Sequence, residues 1–245
     1  MARSTYHHGD LRAALIRAGL EAIADNGIGA LSVAEAARRA GVSPGAPYRH
    51  FPSRTALLMA VAIEAARELT ADIRAALTAA DASRRGASST ATVPVGPTDG
   101  DDAVEALAAT ATAYVRFVAR RRAGLELIFA RELTGSNDPD LSAAGRELTD
   151  LLLPLVLTLT AGDAKAALDL LEQHFAAAHG YAALYLSGFM HRRYDDLEQY
   201  GARAAAVTRV LAKAAVHEAQ QDPVLLPHAD ERGPTPDGSG RRSAF

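Results

Sequence analysis

At 245 residues the chain has room for one or two domains, and with 49% hydrophobic residues it can bury a sizeable core. It contains no cysteine, which excludes disulfides, thiolate metal sites and a cysteine nucleophile. The formal net charge of −3 hides an asymmetry: residues 1–60 carry seven arginines against four acids, which leaves −6 on the remainder. Phosphate binding needs local rather than global positive charge, so the N-terminal part can meet a polyanion.

No apolar stretch approaches the ~20 residues that span a bilayer. The N-terminus lacks the charged and apolar regions of a secretory signal, so a cytoplasmic protein with no membrane partner is expected. Alanine, leucine and arginine dominate while runs of Val, Ile and Thr are scarce, which predicts an all-α fold. Asp10 can cap a first helix with Leu11, Leu15, Ala18 and Ala22 on one face and Asn26-Gly27 at its end. Ser32 opens a second helix, and Glu35 stands three positions later, the spacing of a reciprocal capping box. Gly41 closes that helix after two or three turns. A third short helix is expected at once, with Ser43 as N-cap and Pro44 at the first helical position, ended by Phe51-Pro52.

Ser53 then caps a long fourth helix expected to reach about residue 80, with Leu57, Val61, Ala65 and Leu69 inward. Residues 82–100 turn to Ser, Thr, Gly, Pro and Asp and read as a flexible linker. Helical pattern resumes at about 102–121, 123–134, 139–161, 164–190 and 195–219, with Pro154 expected to kink the third of these. Residues 222–245 hold four prolines and three glycines and read as a disordered tail. The division expected is a helix-turn-helix domain over 1–58, a linker over 82–100 and a second helical domain over 101–221.

Two short helices around Ala40-Gly41-Val42-Ser43 form the arrangement that aims one helix into a DNA groove. Glycine permits the sharp turn, Val42 locks the angle, and the start of the second helix faces the base edges of the major groove. That start is Pro44-Gly45-Ala46-Pro47, small enough for close approach, followed by the donors Tyr48, Arg49 and His50. From Leu11 to Leu58 the chain resembles the TetR family of bacterial regulators. The matching residues are Gly29-Ala30-Leu31-Ser32-Val33, Ala36-Ala37, Ala40 to Ala46, Tyr48-Arg49-His50-Phe51, Ser53-Arg54 and Leu57-Leu58. Pro47 stands where that family usually has leucine. The resemblance implies phosphate contacts for Ser43, Tyr48, His50 and Arg54, and base reading for Gly45, Ala46 and Arg49. In physical terms, the Tyr48 hydroxyl can donate to phosphate, the Arg49 fork fits guanine, and Arg54 adds charge at a helix start. Arg38 and Arg39 read as a solvated face. Phe175-Ala176-Ala177-Ala178-His179-Gly180-Tyr181 resembles the Trp-His-Gly segment that names one C-terminal domain type of the family, with Ala178 at the tryptophan position.

Two stripes alternate spacings of three and four: Leu168, Leu171, Phe175, Ala178, Ala182, Tyr185 and Phe189, then Leu197, Tyr200, Ala204, Val207, Leu211 and Ala214. Such seams suit helix packing at a shallow angle, between subunits or within one. The resemblance implies a homodimer through the last two helices, and with it a palindromic double-stranded DNA operator. Leu107, Thr110, Tyr114, Phe117, Leu125, Phe129, Leu152 and Leu155, with His174 and His179 as polar anchors, are candidates for a small hydrophobic ligand or for plain core. No His-Glu-x-x-His, Gly-x-Ser-x-Gly, phosphate loop or dinucleotide fingerprint is present, so neither an enzyme nor a cofactor is expected. The expectation is a dimeric repressor released by a ligand. A ligand-independent regulator or activator on the same fold, and a helical protein–protein adaptor, are the alternatives.

Overall fold

The computed structural model describes residues 8–87, 100–128, 130, 133 and 135–221. Those residues form α1 (His8–Asn26), α2 (Val33–Arg39), α3 (Arg54–Ala87), α4 (Gly100–Arg121), α5 (Leu125–Ile128), α6 (Pro139–Leu159), α7 (Ala164–Ser187) and α8 (Leu197–Gln221), and among them there is no strand. The linker residues 88–99, Phe129 and the tail from residue 222 lie outside the described residues. No single helix described is long and apolar enough to cross a membrane.

Local signals explain most helix ends. Gly27 at φ 80 ends α1. α1 begins at His8, so Asp10 falls inside its first turn rather than before it. Ser32 caps α2, its Oγ accepting from the Glu35 N–H at 3.0 Å. The box expected there is only half formed, because the Glu35 carboxylate accepts from Arg38 and Arg39 instead. At the far end of α2, Gly41 at φ 68 lets its N–H reach the Arg38 carbonyl and the Val42 N–H reach that of Ala37. This is the paired closure of a Schellman turn, which needs a left-handed residue at that point.

α3 is one helix of 34 residues, started by the Ser53 hydroxyl on the Ala56 N–H at 3.1 Å. It continues to Ala87, past the end near residue 80 that composition predicted, because residues 81–87 hold no proline and only one glycine. Leu57, Val61, Ala65 and Leu69 are wholly buried along it. Of the helix expected over 123–134, the turn α5 is described, and Arg122 at φ 50 breaks the chain before it. Asp138 caps α6 and Asp163 caps α7, each through two backbone N–H groups. Gly188 at φ 67 stops α7 at Ser187, before the expected residue 190.

α4 sits at the centre and packs against α3, α6, α7 and α8. Leu107, Tyr114 and Phe117 on it are wholly buried. Its closest neighbour is α8, where Gly201 lets the helices approach: the Thr112 hydroxyl donates to the Gly201 carbonyl at 3.1 Å. A methyl group on Gly201 would stand 2.9 Å from Thr112 Cγ2. Gly201→Ala is therefore expected to destabilise the protein by ~1–3 kcal/mol through overpacking. Adding Thr112→Ser, which removes the clashing methyl, should restore part of that loss in urea denaturation.

Candidate nucleic-acid interface and the C-terminal core

After the Schellman turn the chain makes a bend over Pro44–Ala46 and then one 3₁₀ turn, Pro47–Arg49. An α-helix was expected here, and Pro47 is the physical reason for its absence. It has no N–H to give the Ser43 carbonyl, which accepts instead from Ala46 at 3.1 Å. The His50 and Phe51 N–H groups both converge on the Pro47 carbonyl at 2.9 Å, so the segment is held at its far end. Pro47 and Phe51 are buried, which fixes the residues between them.

Between those anchors Tyr48 is 52% exposed and Arg49 points outward with no ion pair among the described residues. Ser43 is exposed, and its hydroxyl makes no hydrogen bond among the described residues, so the capping bond expected of it is absent. Gly45 has no positive φ, and a Cβ there would meet nothing within 4 Å. Neither backbone strain nor crowding inside the chain therefore accounts for the missing side chain, and the surface is open at that point. Ala46 and His50 are half-buried beside it.

Arg54 is placed differently from the expectation. Its Nε donates to the Leu31 carbonyl at 2.9 Å and its terminal nitrogen to that of Ile28 at 3.1 Å. The guanidinium thus ties the first turn of α3 to the turn before α2. Arg39 is no simple solvated residue either, since it bonds Asp25 on α1 as well as Glu35, both at 2.7 Å. The two arginines hold the Glu35 carboxyl down at about 2 by direct hydrogen bonds. Arg12, to which no sequence motif pointed, lies with its guanidinium 5.5 Å from the centroid of the Phe51 ring.

In the C-terminal part, Leu107, Thr110, Tyr114, Phe117 and Leu152 are wholly buried, and Leu155 is nearly so. Phe129 and the side chain of Leu125 lie outside what is described. His174 joins three helices. Thr110 gives its hydroxyl proton to the Leu107 carbonyl at 2.7 Å, so its oxygen accepts from His174 Nε2 at 3.2 Å. Nδ1 then accepts from the Thr208 hydroxyl at 3.2 Å, and both ring nitrogens of a neutral imidazole are satisfied. His179 is half-buried, with Nδ1 at 2.9 Å from the Tyr114 hydroxyl. The two histidines thus sit in separate contacts. A cleft of about 290 Å³ between α6 and α7 is lined mainly by Leu148, Leu168, Leu171 and Phe175. The Phe175 ring at its floor meets Tyr114 edge-on at 5.9 Å.

The two apolar stripes do not form one outward seam. Ala178, Ala182, Tyr200 and Ala204 are buried within the single chain, so they cannot touch a second subunit. Leu171, Phe175, Tyr185, Leu197 and Leu211 pack partly against the same core, and Val207 is half-buried. Leu168 and Phe189 are exposed, at 57% and 78%. The outward face takes in Ala214 of the second stripe and otherwise lies beside the stripes, on Ala176, Gly180 and Ala183 of α7 and Ala202 and Val210 of α8.

Residues 15–61 match the family described as bacterial regulatory proteins, tetR family, and residues 107–208 match the tetracyclin repressor-like C-terminal domain. No curated protein matches the chain. The structure of a protein with unknown function from Rhodococcus sp. RHA1 superposes with a TM-score of 0.62 at 27% identity, over 85% of this chain and 98% of that one. That of the fatty acid degradation regulator FadR from Bacillus halodurans superposes at 0.51 with 16% identity, over 83% of this chain and 97% of that one, a likeness of fold.

Burial lowers the His174 pKa from 6.5 to about 4. Below about pH 6.5 the unfolded chain takes up a proton that the folded chain refuses. Stability is therefore expected to fall as pH drops from 6.5 towards 4, by roughly 1 kcal/mol per pH unit. Urea midpoints measured across that window should show a shallower slope for His174→Gln than for the natural chain.

Proposed function

Because the chain belongs to the TetR family of bacterial regulatory proteins, we propose that it is a homodimeric repressor that leaves a palindromic operator when a small apolar ligand enters its C-terminal helices. DNA binding and transcription regulation are the family's function. The observation that carries the reading to particular residues is the exposed set Ser43, Tyr48 and Arg49 around the open position Gly45, held rigid by buried Pro47 and Phe51. Tyr48 and Ser43 suit phosphate oxygens, and the Arg49 fork suits guanine.

A second copy would dock on the small and apolar outward face of α7 and α8. Val210, 68% exposed, lies in its middle. Two-fold symmetry then sets two half-sites ~34–36 Å apart or a multiple of that. For the ligand, the α6–α7 cleft is the entrance best supported, because it is apolar and its floor, Phe175, touches Tyr114. Leu107, Thr110, Phe117 and Leu152 are closed core here, so a ligand reaching them would have to part α4 from its neighbours.

The route from ligand to DNA runs through two helices. α4 carries Thr110, Tyr114 and Phe117 and ends in Arg120 and Arg121. Arg121 pairs with Glu68, and Arg120 with Asp72 at 2.6 Å, both on α3. The first turn of α3 is in turn tied by Arg54 to residues 28 and 31. Movement of α4 would therefore tilt α3 and change the spacing of the two Tyr48–Arg49 surfaces.

Incubating the protein with sheared genomic DNA and sequencing what it retains tests the reading. A recurring inverted repeat is expected, with retention ~100-fold weaker for Tyr48→Ala, as loss of ~1.4 kcal/mol at each of two half-sites would give. Retention without a shared motif, or undiminished in Tyr48→Ala, would remove the assignment of this surface. Val210→Glu is expected to shift the protein from dimer to monomer in analytical ultracentrifugation, and an unchanged mass would place the interface elsewhere.

A further inference from the structure

The arginines described in the DNA-reading module fall into two groups. Arg38, Arg39 and Arg54 have partners within the chain: Glu35, Asp25 and the carbonyls of Ile28 and Leu31. Arg12, Arg17 and Arg49 are exposed and make no ion pair among the described residues. These latter three can turn their N–H donors to an external anion without first giving up a carboxylate or a carbonyl.

Arg12 is also fixed in place. Its guanidinium carbon stands 5.5 Å from the centroid of Phe51, the residue that directly follows Tyr48-Arg49-His50. Phe51 is 2% exposed and its N–H is bonded to the Pro47 carbonyl, so the ring is an anchored platform. A guanidinium lying over an aromatic face keeps its N–H donors around its own edge, where they can still bond oxygen. Stacking therefore removes side-chain freedom without consuming donors, which is the state a phosphate contact requires.

We propose that Arg12, on α1, is a DNA-backbone contact, positioned by Phe51 next to the Tyr48–Arg49 surface. The proposal rests on the DNA-binding reading above and adds a residue from outside the helix-turn-helix itself. It also accounts for how the module keeps positive charge at its edge although Arg54 is engaged with the turn before α2. A phosphate contact orients the protein on the duplex without reading sequence.

The test is the salt dependence of binding to a captured operator fragment and to random duplex. Each phosphate contact contributes ~0.9 to the slope of log K against log salt, so Arg12→Gln should lower it by about 1.8 in a dimer. The ratio of operator to random affinity should stay the same. Arg12→Lys, which keeps the charge, should retain most of the slope. Arg17→Gln, five residues along α1 on the same cleft as Arg12 but with no ring contact described, should leave it unchanged. A slope in Arg12→Gln equal to that of the natural chain overturns the proposal. So does loss of thermal stability alone, which would make Arg12 merely a cover for Phe51. Equal losses in Arg12→Gln and Arg17→Gln also overturn it, since that is a diffuse field effect. A natural chain whose DNA binding is absent or insensitive to salt would instead overturn the DNA-binding reading itself.

Discussion

The hydrogen-bonded backbone of α3 runs without interruption from Arg54 to Ala87. At 1.5 Å per residue that is a rod about 50 Å long. Its first turns are buried by α1, and its later turns lie against α4 and α6. Both halves of the protein thus share one stiff element, and neither can rotate about it without moving packed side chains. Leu57, Val61, Leu69 and Ile73 have no exposed surface, so the rod is gripped along more than four turns. The positions of the Tyr48–Arg49 surface and of the C-terminal core are coupled through that grip.

Much of the fold was legible because its stops are chemical. Gly27 and Gly41 take left-handed backbone angles, and Ser32 and Ser53 offer side-chain acceptors to helix starts. The failures share a different cause: a local pattern says what a residue can do, and tertiary neighbours decide what it does. Glu35 had the spacing of a capping box, but two arginines in reach outcompeted one backbone N–H for its carboxylate. Arg54 had the position of a phosphate ligand, and the bonds that the turn at 28–31 adds to it, across more than twenty residues of chain, were not legible. Pro47 was visible as an anomaly, and its effect was larger than expected, because the whole segment reduces to one 3₁₀ turn. The stripes on α7 and α8 marked true apolar faces, yet periodicity carries no information on which neighbour covers a face. Here the single chain's own core covers Ala178, Ala182, Tyr200 and Ala204, while Leu168 and Phe189 of the same stripes stay exposed. Arg12 carried no motif at all. Its significance is a ring placed next to it by the fold.

Thr208, His174 and Thr110 form a buried polar chain. Three helices meet at one imidazole whose nitrogens have complementary roles, so the cluster is fully satisfied only when α4, α7 and α8 keep their register. Sliding any one of them by a turn would strand a buried donor or acceptor at ~1–3 kcal/mol. An apolar contact of the same size would tolerate such sliding. The cluster therefore restricts how the C-terminal helices can rearrange: motions that preserve α4–α7–α8 register are inexpensive, and those that break it are not. No such buried polar chain among the described residues ties α6 or the α3–α4 contact, where apolar side chains pack and the ion pairs Arg121–Glu68 and Arg120–Asp72 lie nearer the surface.

Energetics then decide which part of that contact can carry a signal. The pairs Arg121–Glu68 and Arg120–Asp72 are a quarter to a half exposed. Pairs of that exposure contribute ~0–1 kcal/mol each. Switching a population from almost wholly competent to almost wholly incompetent requires ~5.5 kcal/mol of differential affinity. The ion pairs fall well short of supplying such a difference. At ~25 cal/mol per Å² that difference corresponds to ~220 Å² of apolar surface, about one aromatic side chain. Phe175, half-buried between the α6–α7 cleft and Tyr114, is a side chain of that size at the boundary between open groove and closed core. A ligand that replaced its packing against Tyr114 would act on α4 with apolar area of the required magnitude, and the charged pairs at the end of α4 would hand that displacement to the rod.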